Sequence, residues 1–123
     1  MMMTSVKTSV TIYHNPRCSK SRDTLALLQE HNITPEVVLY LDTPPDAATL
    51  AQLIQQLGFS SARELMRTKE ERYQQLGLSD ATLTEAQLIQ AMIDNPKLIE
   101  RPIVVSHGQA RIGRPPEQVL DIL

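Results

Sequence analysis

"VTIYHNPRCSKSRDTLALLQEHNITPEVVLYL", Val10 to Leu41, decides the fold. Its first five residues, Val10 to His14, are β-branched, aromatic and strand-like. Asn15 to Cys18 reads as a turn, because Pro16 disfavours helix in the residue before it. Ser19 to His31 can be helical, with Leu25 and Leu28 on one face. Glu36 to Leu41 is a near-continuous apolar run of strand length, which predicts a buried central strand. A strand, a crossover helix and a second strand imply parallel pairing of the two strands.

Downstream of this unit, Asp42 to Pro45 break the chain and Asp46 to Gly58 predict a helix. Asp46 is its cap, Leu50, Ile54 and Leu57 share a face, and Gly58 ends it. Ser61 with Glu64, and Thr84 with Gln87, each have capping-box spacing. The charged stretch Thr68 to Gly77 is expected to be helical and exposed. The helix opened by Thr84 should stop at Pro96. Ile103 to Val105, then His107 to Gln109, then Ala110 to Gly113 predict a hairpin with Gly108 in its turn. Pro115 to Leu123 suit a short closing helix with proline in its first turn. The order β-α-β, helices, hairpin, α is the plan of an α/β protein with a thioredoxin-like fold: a mixed central sheet flanked by helices. Residues 1–9 read as a flexible tail and residues 10–123 as one domain, with a helical insertion over about 46–95.

The chain has 123 residues, enough to bury a core without staples. A net charge of −2 and an aromatic content of 3% argue against nucleic-acid or anionic-membrane binding. Those partners need surplus cations and stacking rings. No run approaches the roughly 20 apolar residues of a membrane helix. One cysteine forms no internal disulfide, which points to a reducing cytoplasm.

That cysteine, Cys18, sits where a loop enters a helix, beside Arg17, Lys20 and Arg22. Unpaired backbone N–H groups at a helix start favour the thiolate and would also favour an arriving anion. Shifting a thiol pKa down by about 2 units takes roughly 2.7 kcal/mol, within reach of a helix terminus and one or two cations. The commoner alternative, an inert buried cysteine, fits poorly among polar neighbours. A dithiol Cys-x-x-Cys site would need cysteine at Ser21. A tyrosine-phosphatase loop would need arginine at Thr24. What remains is a monothiol nucleophile reduced by an external thiol.

The stretches "YHNPRCSKSRDTL", "VVLYLDTPP", "ARELMR", "LTEAQLIQAM", "NPKLIERPIVV" and "ARIGRPPEQVLDIL" together resemble the glutathione- and glutaredoxin-dependent arsenate reductases. These form the ArsC-like branch, here nearest its YfgD type, of the ArsC/Spx family. The resemblance covers almost the whole chain from Val10 onward, and the chain ends at Leu123 without the C-terminal extension of the longer members. It implies a thioredoxin-like fold and an attack by the Cys18 thiolate on arsenate. Glutathione then acts as co-substrate, and glutaredoxin resolves the adduct. It implies no bound cofactor and no metal. Arg67, Arg101 and Arg114 match the oxyanion-binding set. Pro102 matches the proline that faces the active-site loop through a cis bond to Arg101. His14 is expected to help ionise the cysteine as a protonated imidazole, Ser21 to hydrogen-bond the sulfur, and Asn15 to fix the loop or contact the oxyanion. His31 and His107 fall outside these motifs. A monomer is expected. Two rival readings keep the fold: an Spx-like regulator of RNA polymerase, against which Ser21 speaks, and a monothiol redox protein with another substrate.

Overall fold

The computed structural model describes residues 9–123; the tail expected over residues 1–9 lies outside them except for Ser9. Four strands form one sheet: β1 (Thr11–Tyr13), β2 (Glu36–Val38), β3 (Ile103–Ser106) and β4 (Gln109–Ile112). Their order is β2-β1-β3-β4, with β1–β2 parallel and the other pairs antiparallel. Helix α1 (Ser19–Glu30) makes the crossover between the parallel strands β1 and β2. The hairpin β3–β4 turns through His107 and Gly108, both at positive φ, as a two-residue turn matched to strand twist requires.

The expectation of a buried central strand over Glu36 to Leu41 is corrected. Only Glu36–Val38 pair, and they lie at the sheet edge, because the hairpin adds to the other side of β1. Past Val38 the chain turns, with the Leu39 carbonyl accepting from Asp42 and Thr43 N–H. Tyr40 is 1% exposed, whereas Val37, Leu39 and Leu41 are exposed.

The sheet separates two cores. On one face, Ile12 and Val104 pack with Leu28 of α1 and with Val119 and Ile122. Val119 and Ile122 belong to the closing Pro116–Ile122 segment, a 3₁₀ helix where a short helix was expected. On the other face, Ile103 and Ala110 pack with α2 (Ala47–Gln56) and α4 (Glu85–Asp94), and with the 3₁₀ turns Ala62–Leu65 and Pro96–Leu98. The stretch expected to be an exposed helix contains only α3 (Glu71–Gln75), and its Tyr73 is buried.

The local rules for these helices hold. Asp46 accepts from Thr49 N–H and caps α2, and Gly58 ends the segment at φ +76°. Both capping boxes form, the first opening the 3₁₀ turn Ala62–Leu65 and the second opening α4. Among the described residues no helix is long and apolar enough to cross a membrane.

Candidate active site

Cys18 is the N-cap residue of α1, with extended backbone (φ −98°, ψ 124°), so its side chain stands over the first turn. Asn15 shapes the approach. Its carbonyl accepts from Cys18 N–H at 3.0 Å and its Oδ1 accepts from Arg17 N–H at 3.0 Å, an Asx turn that folds the loop back on itself. The Asn15 N–H donates to Ser21 Oγ at 3.0 Å, tying the loop to the helix it precedes.

Burial is the largest single influence on the Cys18 thiol and pushes its pKa up. The Ser21 N–H, the Arg101 guanidinium, the Lys20 N–H and the Arg114 guanidinium act the other way and together outweigh it, leaving the pKa below the usual thiol value. Two of these come from the helix N-terminus and two from distant segments. Arg114 Nη2 lies 3.5 Å from Cys18 Sγ. The sequence neighbours Arg17, Lys20 and Arg22 have exposed side chains, and Arg22 Nη1 is occupied by the Pro16 carbonyl at 2.9 Å. Their expected role as the cations beside the sulfur passes to Arg101 and Arg114.

Arg101 and Arg114 are placed by backbone. Residues 65–67 run antiparallel to 98–100: Met66 bridges Ile99, Glu100 N–H donates to Leu65 O, and Arg67 N–H donates to Leu98 O. This short pairing lays Arg67 alongside the segment that leads to Arg101. The bond from Arg101 to Pro102 is cis, as expected; that from Arg114 to Pro115 is also cis, which was not. Arg114 Nε donates to the Arg101 carbonyl at 2.8 Å, so the two arginines are locked together. Arg101 Nε is buried with no hydrogen-bond partner. Arg67 points elsewhere: its guanidinium meets Glu70 Oε2 at 3.3 Å and the Lys97 carbonyl at 3.4 Å.

His14 and Ser21 are both buried, with His14 Nδ1 2.6 Å from Ser21 Oγ. Burial first, and then the Arg22 charge, hold His14 below the usual imidazole pKa. These surroundings favour the neutral ring rather than the imidazolium expected from sequence. The effect of Ser21 on the sulfur comes from its backbone N–H, while its hydroxyl serves His14 and Asn15.

Tyr40 was read only as a strand residue, yet its phenol belongs to this neighbourhood. Burial raises its pKa to about 12; the charges of Arg101 and Arg67 and the Asn15 side chain oppose that rise, and Cys18 adds to it. The signal was its place near the carboxyl end of a parallel strand, where open α/β sheets bind ligands.

The ArsC family matches residues 13–122. The uncharacterized protein YfgD of Escherichia coli strain K12 is 68% identical over 93% of this chain and 96% of its own length. An arsenate reductase of Neisseria meningitidis serogroup A is 49% identical over 93% of this chain and 97% of its own length. Among solved structures, an arsenate reductase from Vibrio cholerae superposes with a TM-score of 0.93 at 59% identity, covering 94% of this chain and 98% of that one. With a thioredoxin-like mixed sheet, a lone cysteine capping its first helix and this breadth of likeness, the chain belongs to the ArsC family.

Proposed function

We propose that this chain reduces arsenate to arsenite through a covalent Cys18–arsenate intermediate, with glutathione as co-substrate and glutaredoxin as the resolving partner. The observation that carries the reading is the Arg114 guanidinium 3.5 Å from a half-buried thiol whose pKa is lowered. The likeness to arsenate reductases supports it. In this reading Arg101 and Arg114 hold the oxyanion, and Arg67 joins them only by leaving Glu70 and the Lys97 carbonyl. Guanidinium forks match tetrahedral oxyanions, and each charge-assisted bond is worth about 1.5–3 kcal/mol. Pro102 and Asn15 keep the two walls of the site in place. Ser21 and a neutral His14 hold the loop rather than deprotonate the thiol.

The electrons balance with thiols alone. Cys18 thiolate bonds to arsenic(V) as one oxygen leaves as water. The sulfur of glutathione then joins that of Cys18 in a mixed disulfide. Arsenic takes up the electron pair and departs as arsenite. A glutaredoxin thiolate attacks the glutathione sulfur and frees Cys18. The net change is arsenate plus two thiols to arsenite, one disulfide and one water. The chain has one cysteine, so the second thiol must come from outside. A cleft of about 300 Å³ between His14–Arg17 on one side and Leu39, Leu41 and Asp42 on the other offers an approach beside the loop. A monomer in the reducing cytoplasm suits this chemistry.

The test is NADPH oxidation coupled through glutathione reductase, glutaredoxin and glutathione, with arsenate as oxidant. Wild type should turn over and Cys18→Ser should fall to background. Turnover by Cys18→Ser would remove the covalent mechanism. Absence of turnover in wild type, with capture of RNA polymerase instead, would favour the regulatory reading.

A further inference from the structure

Glu100 has no role in the reading above, yet its carboxylate stands among the site's cations. Its Oε1 lies 3.0 Å from Arg101 Nη1 and 3.7 Å from Arg114 Nε. One oxygen therefore bridges the two guanidiniums that act on Cys18. Once the thiol ionises, two positive charges (Arg101, Arg114) face two negative ones (Cys18, Glu100), and the cluster is neutral before any ligand arrives. Glu100 takes the Arg101 Nη1 donor and lies within ion-pair distance of Arg114, so an incoming oxyanion competes with it for the same two positive charges. The Glu100 side chain is 28% exposed, so it has water to swing into. Its backbone is fixed independently, through the hydrogen bond from its N–H to Leu65 O, and Arg114 keeps its bond to the Arg101 carbonyl whatever the carboxylate does.

We propose that Glu100 is a built-in counter-ion of the anion site: it holds the guanidinium pair while the site is empty, and substrate must displace it. It makes the site discriminate by charge. A doubly charged tetrahedral oxyanion replaces a singly charged carboxylate with net electrostatic gain, whereas a singly charged ligand only exchanges like for like. The inference rests on the proposed anion site but not on arsenate turnover.

The test measures iodoacetamide alkylation of Cys18 as a function of pH, and the protection given by inorganic phosphate and by arsenate. Glu100→Gln keeps the size and one oxygen but removes the charge. In that variant the alkylation midpoint should move to lower pH, because the arginines act on the thiolate unopposed. Half-protection by either oxyanion should need about threefold to tenfold less ligand. Glu100→Asp, which keeps the charge, should stay nearer wild type on both readouts. If Glu100→Gln needs more anion, Glu100 serves only to orient the arginines and the proposal is overturned; an unchanged midpoint overturns it as well. The midpoint needs no ligand, so it decides even if wild type fails to reduce arsenate. Failure of turnover with intact protection would sink the reductase reading and leave this one standing.

Discussion

Burial alone would keep the Cys18 thiol protonated, since a half-buried sulfur loses the water that would solvate its charge. Two helix amides and two guanidiniums reverse that. The alkylation rate of Cys18 should therefore rise through a midpoint below the roughly 8.5 of a free thiol. Arg114→Ala should move the midpoint up, and a midpoint unmoved by this change would exclude Arg114 as a cause. The same variant should lower kcat/KM for arsenate by roughly tenfold to a hundredfold, the loss of one charge-assisted bond. Folding stability follows the same titration. The folded thiol loses its proton at lower pH than the unfolded one, so the unfolded chain binds more protons between the two values. The contribution of Cys18 is complete above the unfolded thiol pKa and disappears as pH falls through the folded one. His14 behaves alike at lower pH. Its neutral ring is favoured in the folded state, so its contribution is complete above the unfolded imidazole value near 6.5 and declines as pH drops below it.

At the scale of elements, α1 must hold its N-terminus against the segment that carries Arg114. Gly113 makes that contact. A Cβ there would run into Thr24 Oγ1 of α1 and come within 2.9 Å of Pro102 Cγ. Thr24 is buried and its hydroxyl donates to the Lys20 carbonyl, so it has little room to turn. Gly113→Ala should destabilise the protein by about 1–3 kcal/mol. Thermal melts should show this as a fall of several degrees, and adding Thr24→Ala should recover part of it. An unchanged melting temperature would mean that the two elements are not in contact. Sequence reading reached these elements where the rule is local: Asp46 and Thr84 name their helices' first residues, and Gly58 and Gly108 name turns. It missed where the answer depends on partners. Nothing within Glu36 to Leu41 tells whether a third strand covers its outer edge. The short pairing of 65–67 with 98–100 has too few residues to carry a period. The cations beside Cys18 were sought among Arg17, Lys20 and Arg22, while Arg114, 96 residues away, is the one in contact. The family resemblance named that arginine; composition and spacing had no means to.

Across the whole molecule, the candidate site joins three stretches of the chain: the start of α1, the segment leading into β3, and the turn after β4. These are tied by a few contacts, Arg114 to the Arg101 carbonyl, Arg114 to Cys18 and Glu100 to both arginines. An oxyanion that binds the folded site has no counterpart in the unfolded chain, where the arginines are scattered. Mass action then stabilises the fold by about 2.7 kcal/mol at a hundredfold excess of ligand over Kd. Arsenate or phosphate should therefore raise the melting temperature by several degrees, beyond what sodium chloride does at matched ionic strength. Cys18→Ser should keep most of this rise, because the guanidiniums remain. A variant combining Arg101→Ala with Arg114→Ala should lose it while still melting cooperatively in the absence of ligand. If the double variant gains as much from phosphate as wild type does, the anion binds elsewhere and the two arginines are ordinary surface cations. If neither oxyanion shifts the wild type, the site around Cys18 does not bind tetrahedral anions at all.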